Sequence, residues 1–168
     1  CGSEGTTKGS GEYIKCSACG KTYFLNELGE ISATAGEKTE FSHIPDWYAW
    51  QRECVRQQLS DGTYKTDIPV KIGMLVDYKA LYEVGEGRLT HDRDGFVLTG
   101  CDGKLRYEQK ASSSYGLYAD YFWYEIGDVI CIGDKNALYY CFPTNGFPVA
   151  KARLAAEEAY KLRCGKKR

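Results

Sequence analysis

The sequence predicts an α+β protein that is mainly β: a short cysteine-bearing section, one helix, then an antiparallel barrel of about seven strands closed by a C-terminal helix. Three observations carry this. Apolar residues alternate with a period of two from about Val70 to Phe142, and the breaks are turn-formers. A helical period stands on either side of that stretch, over Ser42 to Gly62 and after Gly146. Two cysteines stand in the pattern Cys16-Ser17-Ala18-Cys19-Gly20 near the start. The organisation that follows is a module over 1–35, a linker and Trp-bearing helix over 36–65, and the strands with their closing helix over 66–168.

In the first module, Gly2, Ser3, Gly5, Thr6, Thr7, Gly9, Ser10 and Gly11 read as a flexible tongue with almost nothing to bury. A short strand-like run, Glu12 to Lys15, leads into the cysteine pair, and Tyr23, Phe24 and Leu25 follow. So small a section needs a staple. In the middle segment, Pro45 suits a first helical turn and Gly62 suits the stop. Trp47, Trp50 and Cys54 share a stripe flanked by Tyr48, Val55 and Leu59, so this helix is expected to dock, against a sheet.

In the third segment, strands are expected at Val70–Val76, Ala80–Val84, Arg88–His91, Phe96–Thr99, Lys104–Gln109, Tyr115–Glu125, Val129–Ile132 and Ala137–Phe142. Asp94-Gly95, Asp102-Gly103 and Asn145-Gly146 supply the positive φ that tight turns require. Connections this short leave no room for crossover helices, so neighbouring strands are antiparallel. In the last helix Ala152, Ala155, Ala156, Ala159 and Leu162 form one side, with Glu157 placed to pair with Lys161. Its expected place is over the open barrel end, where it protects strand edges.

Composition narrows the function. The 168 residues carry 22 Lys and Arg against 23 Asp and Glu, a formal charge of −1, and counterion displacement on nucleic acid needs basic excess. The first 35 residues hold three lysines and four glutamates, against a nucleic-acid-reading ribbon. No apolar run approaches the roughly 18 residues of a bilayer span. The chain starts at Cys1, as expected of a piece of something longer. Eight cysteines, unevenly spread and without a targeting segment, point to a reduced, cytoplasmic setting.

Cys16-x-x-Cys19-Gly20 is the strongest chemical signal, because two thiolates at that spacing grip one Zn²⁺ from a tight turn. Cys1-Gly2 repeats the end of the pattern. A further cysteine three places upstream would complete the spacing of a zinc ribbon, so Cys1, Cys16 and Cys19 are candidate Zn²⁺ ligands. Zinc is favoured over ordinary thiols or a redox dithiol, because no βαβ context surrounds the motif. Cys131 and Cys141 sit inside apolar strands and read as core filler. The two histidines are His43 and His91. An enzyme reading would place a site around His43, Asp46 and Cys54, although an imidazole and carboxylate tethering the helix start is the plainer account. His91, beside Asp92, Arg93 and Asp94, reads as part of a solvated turn. Nucleophile-elbow, Walker-type and dinucleotide motifs do not occur. Tyr115, Tyr118, Tyr121, Phe122, Trp123 and Tyr124 form an aromatic belt, expected to be half core and half exposed. The tail from Lys151 holds seven basic residues against two acidic ones. That makes Lys151, Arg153, Lys161 and Arg163 a candidate binding surface for anionic lipid.

Thr39-Glu40-Phe41-Ser42-His43-Ile44-Pro45-Asp46-Trp47-Tyr48, the later Gly85-Glu86-Gly87-Arg88-Leu89-Thr90-His91 with Gly95-Phe96, and Arg153-Leu154-Ala155-Ala156-Glu157-Glu158 carry a resemblance. They resemble the C-terminal extension of clostridial and related Gram-positive 1-acyl-sn-glycerol-3-phosphate acyltransferase-like proteins, as does the preceding zinc knuckle. The family's catalytic His-x4-Asp motif is absent: five residues after His43 stands Tyr48, and five after His91 stands Phe96. The resemblance therefore implies a parent acyltransferase of phospholipid synthesis at the inner membrane face. It implies for this chain a non-catalytic accessory role, contacting the enzyme domain, another protein or the lipid surface. The strand series with its last helix also looks like a pleckstrin-homology-like barrel, a fold used mainly for binding.

Overall fold

The structure is a computed structural model and describes residues 2–34, 36–77 and 79–165. It is mainly β, with antiparallel sheets and two helices, and it divides into two compact units at Glu53/Cys54.

The first unit is built on a four-stranded meander, β1 (Thr7–Ser10), β2 (Tyr13–Cys16), β3 (Thr22–Leu25) and β4 (Ile31–Ala33), paired in chain order. The glycine-rich tongue is thus a strand in its central part: Thr7 pairs with Cys16 and Ser10 with Tyr13. Glycine and serine offer no side chain to bury, but their backbone N–H and C=O groups still complete a ladder, and Gly11 at φ +57 makes the tight turn. Aromatic rings pack within the unit, in which Ile31 is also buried. Tyr23 lies 5.4 Å from Trp47, and Phe41 stacks on Trp47 at 5.9 Å and meets Trp50 at 5.5 Å. Trp47 and Trp50 come from the first half of α1 (Ile44–Asp61), which starts next to Pro45 and ends at Gly62, φ +79, as the sequence predicts.

The second unit holds the rest of α1, seven strands and α2 (Val149–Cys164). The strands are β5 (Thr66–Val76), β6 (Ala80–Asp92), β7 (Gly95–Gly100), β8 (Leu105–Lys110), β9 (Tyr118–Trp123), β10 (Gly127–Gly133) and β11 (Leu138–Pro143). Their order is β8-β7-β6-β5-β11-β10-β9, so β5 joins both the next strand and the last. Two expected strands, Ala80–Val84 and Arg88–His91, are one. Val84 is the extra residue of a bulge between Ile72↔Gly85 and Gly73↔Glu83, so the Gly85-Glu86-Gly87 break bends the strand without ending it.

The closed barrel expected from the periodicity is not formed. The sheet ends at β8 on one side and β9 on the other. A side chain spans the gap, with Gly133 N–H donating to Gln109 Oε1 at 2.9 Å, and α2 packs on β9 and β10. Two faces of α2 are used. Ala152 and Ala156 join the sheet core of Ile68, Val70, Ile72, Leu89, Leu98, Ile130, Ile132 and Cys141. Leu154, Ala155 and Ala159 pack instead with Val55, Leu59 and Tyr64. The second half of α1 therefore docks on a helix, where a sheet was expected. Leu162, expected on the covered side, is exposed.

Candidate functional site

The cysteine turn links β2 to β3. Cys16 N–H donates to the Lys21 carbonyl and Gly20 N–H to the Cys16 carbonyl, both at 2.9 Å, with Gly20 at φ +77. This tight return points backbone toward sulfur. The Thr6 hydroxyl, 3.4 Å from Cys16 Sγ, is the largest influence holding that thiol down to about 7, and the N–H groups of Cys19 and Ala18 add to it. Ser17 ties the turn to β1 through N–H and Oγ bonds to the Thr6 carbonyl, 2.7 and 3.1 Å. Cys16 is buried and Cys19 exposed. A thiolate-favouring sulfur beside an exposed second thiol fits half of a tetrahedral Zn²⁺ site. Cys1 lies outside the described residues, and among those described no group of three metal-binding side chains gathers.

Next to the turn stands a cluster the sequence reading missed. Lys21 Nζ donates to Glu40 Oε1 at 2.7 Å, and the Tyr23 hydroxyl donates to Glu40 Oε2. Those two donors hold the Glu40 carboxyl down to about 2. Burial first, and Glu40 second, push the Tyr23 phenol up to about 12. The cluster clips the segment before α1 to the sheet.

His43 Nδ1 and Asp46 Oδ2 are 3.8 Å apart and both side chains are exposed. The His43 carbonyl accepts the Trp47 N–H at the start of α1, and residue 43 bridges Glu30. Cys54, at the start of the second unit, is half-buried.

Each cation proposed for the binding surface has a partner inside the second unit. Lys151 lies 5.6 Å over the Tyr64 ring, Arg153 is 3.5 Å from Glu157, Lys161 is 2.6 Å from Glu158, and Arg163 pairs with Asp94. Lys161 is thus bonded to Glu158, not to Glu157 as spacing suggested. Glu157 and Glu158 are buried, which a solvated helix face would not require.

His91 is not in a solvated turn. It is 1% exposed, stacked on Phe96 at 3.6 Å, and shares a 3.0 Å hydrogen bond through Nδ1 with the Tyr64 hydroxyl. Its Nε2 is buried without a hydrogen-bond partner among the described residues, and burial pushes the imidazole down to about 3. Continuing the alternation of core-facing Leu89 by two residues would have found it. Cys131 and Cys141 are buried as expected; burial pushes Cys131 up to about 12 and Cys141 further.

The aromatic belt departs from the half-and-half expectation. The strand runs only from Tyr118 to Trp123, and Tyr118, Tyr121, Phe122 and Tyr124 are all exposed. Trp123 turns toward the sheet, 5.0 Å from Tyr140 and 5.9 Å from Phe142.

No family model matches the chain, and no curated protein or solved structure matches it either. Neither described helix is long and apolar enough to cross a membrane.

Proposed function

We propose that this chain is a non-catalytic binding region, accessory to a phospholipid-synthesis acyltransferase-like protein on the cytoplasmic side. It acts by contacting the enzyme domain or another protein. The observation that carries the reading is the core of the second unit: apolar side chains surround one imidazole closed off by Tyr64 and Phe96, and the buried Glu157 and Glu158 of α2 are paired with Arg153 and Lys161. The strand order, with β5 joined to both its successor and the last strand and α2 over β9 and β10, supports a pleckstrin-homology-like arrangement. The hydrogen-bonded Cys16 sulfur supports a zinc-ribbon reading of the first unit, with Cys16 and Cys19 holding Zn²⁺ as a staple for a small sheet. A protein partner is favoured over anionic lipid because Lys151, Arg153, Lys161 and Arg163 are engaged within their own unit.

The test has two arms. If an acyltransferase domain is the partner, a tagged form of the chain should retain it through gel filtration, while the chain alone transfers no acyl group to lysophosphatidic acid. Turnover by the chain alone that is lost in His43→Ala would overturn the reading. Zinc measured by plasma mass spectrometry should fall in Cys16→Ser and in Cys19→Ser; metal content indifferent to both would remove the staple.

A further inference from the structure

The hairpin of β9 and β10 displays large apolar side chains where a folded protein ordinarily hides them. Phe122 is 68% exposed, Ile126 62% and Tyr124 81%, with Tyr118 and Tyr121 exposed beside them. The display is held in place. Tyr121 N–H donates to Asp120 Oδ1 at 2.8 Å and Phe122 N–H to Asp128 Oδ1 at 3.1 Å. Glu125 N–H closes on the Phe122 carbonyl at 3.2 Å and Ile126 N–H on the Trp123 carbonyl at 2.9 Å. Phe122, Tyr124 and Glu125 have φ of 50°, 45° and 62°, a left-handed backbone that bulky L-residues disfavour. Trp123 anchors the base through Tyr140 and Phe142, so the neighbouring rings project from a fixed support.

The charge carried by the hairpin's own sequence has one sign, the nearest cation given for the aromatic belt being Lys161 of α2, 5.9 Å over Tyr115. From Ala111 to Asp134 the sequence contains no lysine or arginine, but it contains Asp120, Glu125, Asp128 and Asp134. Electron-rich ring faces rimmed by carboxylates attract cations and repel an anionic headgroup. Elsewhere the chain already uses this chemistry, with Lys21 5.3 Å over Tyr23 and Arg52 5.3 Å over Tyr48. We propose that the β9–β10 hairpin is a docking surface for a lysine- and arginine-rich segment of a partner protein. The partner's cations lie over the Tyr118, Phe122 and Tyr124 rings, with Asp120, Glu125 and Asp128 at the rim. This deepens the binding reading and rests on it only in treating this face as a partner surface. Peptide titration probes the hairpin alone and co-purification probes the acyltransferase context, so either can fail without the other.

A fluorescein-labelled peptide of alternating arginine and glycine is titrated with the full chain, followed by anisotropy, beside a glutamate and glycine peptide and vesicles of zwitterionic lipid. The expected result is binding of the basic peptide alone, weakened by added salt. Phe122→Gly with Tyr124→Gly should weaken it about tenfold, because two of the three rings beneath the cations are removed. Glycine suits the left-handed backbone at both positions, so the double variant keeps its fold, which its urea midpoint confirms. Glu125→Gln should weaken binding by a smaller factor and flatten the salt dependence. Failure of the basic peptide to bind, equal binding of the acidic peptide, unchanged affinity in the double variant, or preference for the vesicles would each overturn the proposal.

Discussion

Acidification should unfold this protein earlier than its carboxylates alone require, because His91 must stay neutral to remain where it is. Burial lowers its pKa from an ordinary 6.5 to about 3. The unfolded state therefore takes up a proton below the ordinary value while the folded state does not. Stability from this group is complete above about pH 7 and is lost as pH falls toward the folded value. Between about pH 7 and pH 5 the loss from one such site is about 2 kcal/mol, with a limiting slope of about 1.4 kcal/mol per pH unit. Glu40, Asp61 and Asp67, whose carboxyls are held low by their donors, lose their contributions only at lower pH, and the Cys16 thiol, held down to about 7, is common to the parent and to a variant lacking His91, so the difference between the two isolates the imidazole.

The comparison is urea unfolding of the parent and His91→Leu across that window. The variant gives up the 3.0 Å bond to Tyr64 and the stacking on Phe96, so it should start about 1 kcal/mol less stable at neutral pH. Its curve should then be flatter and cross the parent's between about pH 6 and pH 5. Parallel curves would show that His91 titrates alike folded and unfolded, and the account of its burial would be wrong.

Three other outcomes follow from the packing and the first-unit cluster. A Cβ on Gly87 would stand 2.2 Å from the Thr99 carbonyl oxygen and 2.8 Å from Ile72 Cδ1, so Gly87→Ala should cost about 1–3 kcal/mol in thermal unfolding, and an unchanged midpoint would contradict the β6–β7 register. Ala155 is fully buried against Val55 and Leu59, so Ala155→Leu should cost a similar ~1–3 kcal/mol, whereas Leu162→Ala, at an exposed position of the same helix, should cost little. Glu40→Gln removes the charge that adds to burial in raising Tyr23, so a spectrophotometric titration should find that phenol ionising below about 12; the accompanying stability loss should stay under about 1 kcal/mol because the Glu40 side chain is 41% exposed.

The elements themselves were largely legible. Pro45 and Gly62 bracket the first helix, Asp94-Gly95 and Asp102-Gly103 mark turns between strands, and the alternation through Val70, Ile72 and Met74 marks β5. The errors fall where one local signal serves two structures. Glycine at 85 and 87 reads as a strand end, but a bulge uses the same freedom. The glycines and serines of 2–11 read as a tongue because composition reports side-chain burial, and β1 pairs with β2 through its backbone. The charged neighbours of His91 suggest a turn, although its position two residues after Leu89 on the same face decides its burial.

The sequence by itself determined most strands of the second unit, their antiparallel sense, both helices and the cysteine turn. Each of these rests on contacts or backbone preferences within a few residues. Only the tertiary structure decided that β8 and β9 end the sheet, that α2 serves two apolar partners while burying Glu157 and Glu158, and that the rings of Tyr118, Tyr121, Phe122 and Tyr124 face outward. Those outcomes depend on which surfaces meet across long separations in the chain, and a period of two says only that a strand has two faces, not which of them will find a neighbour.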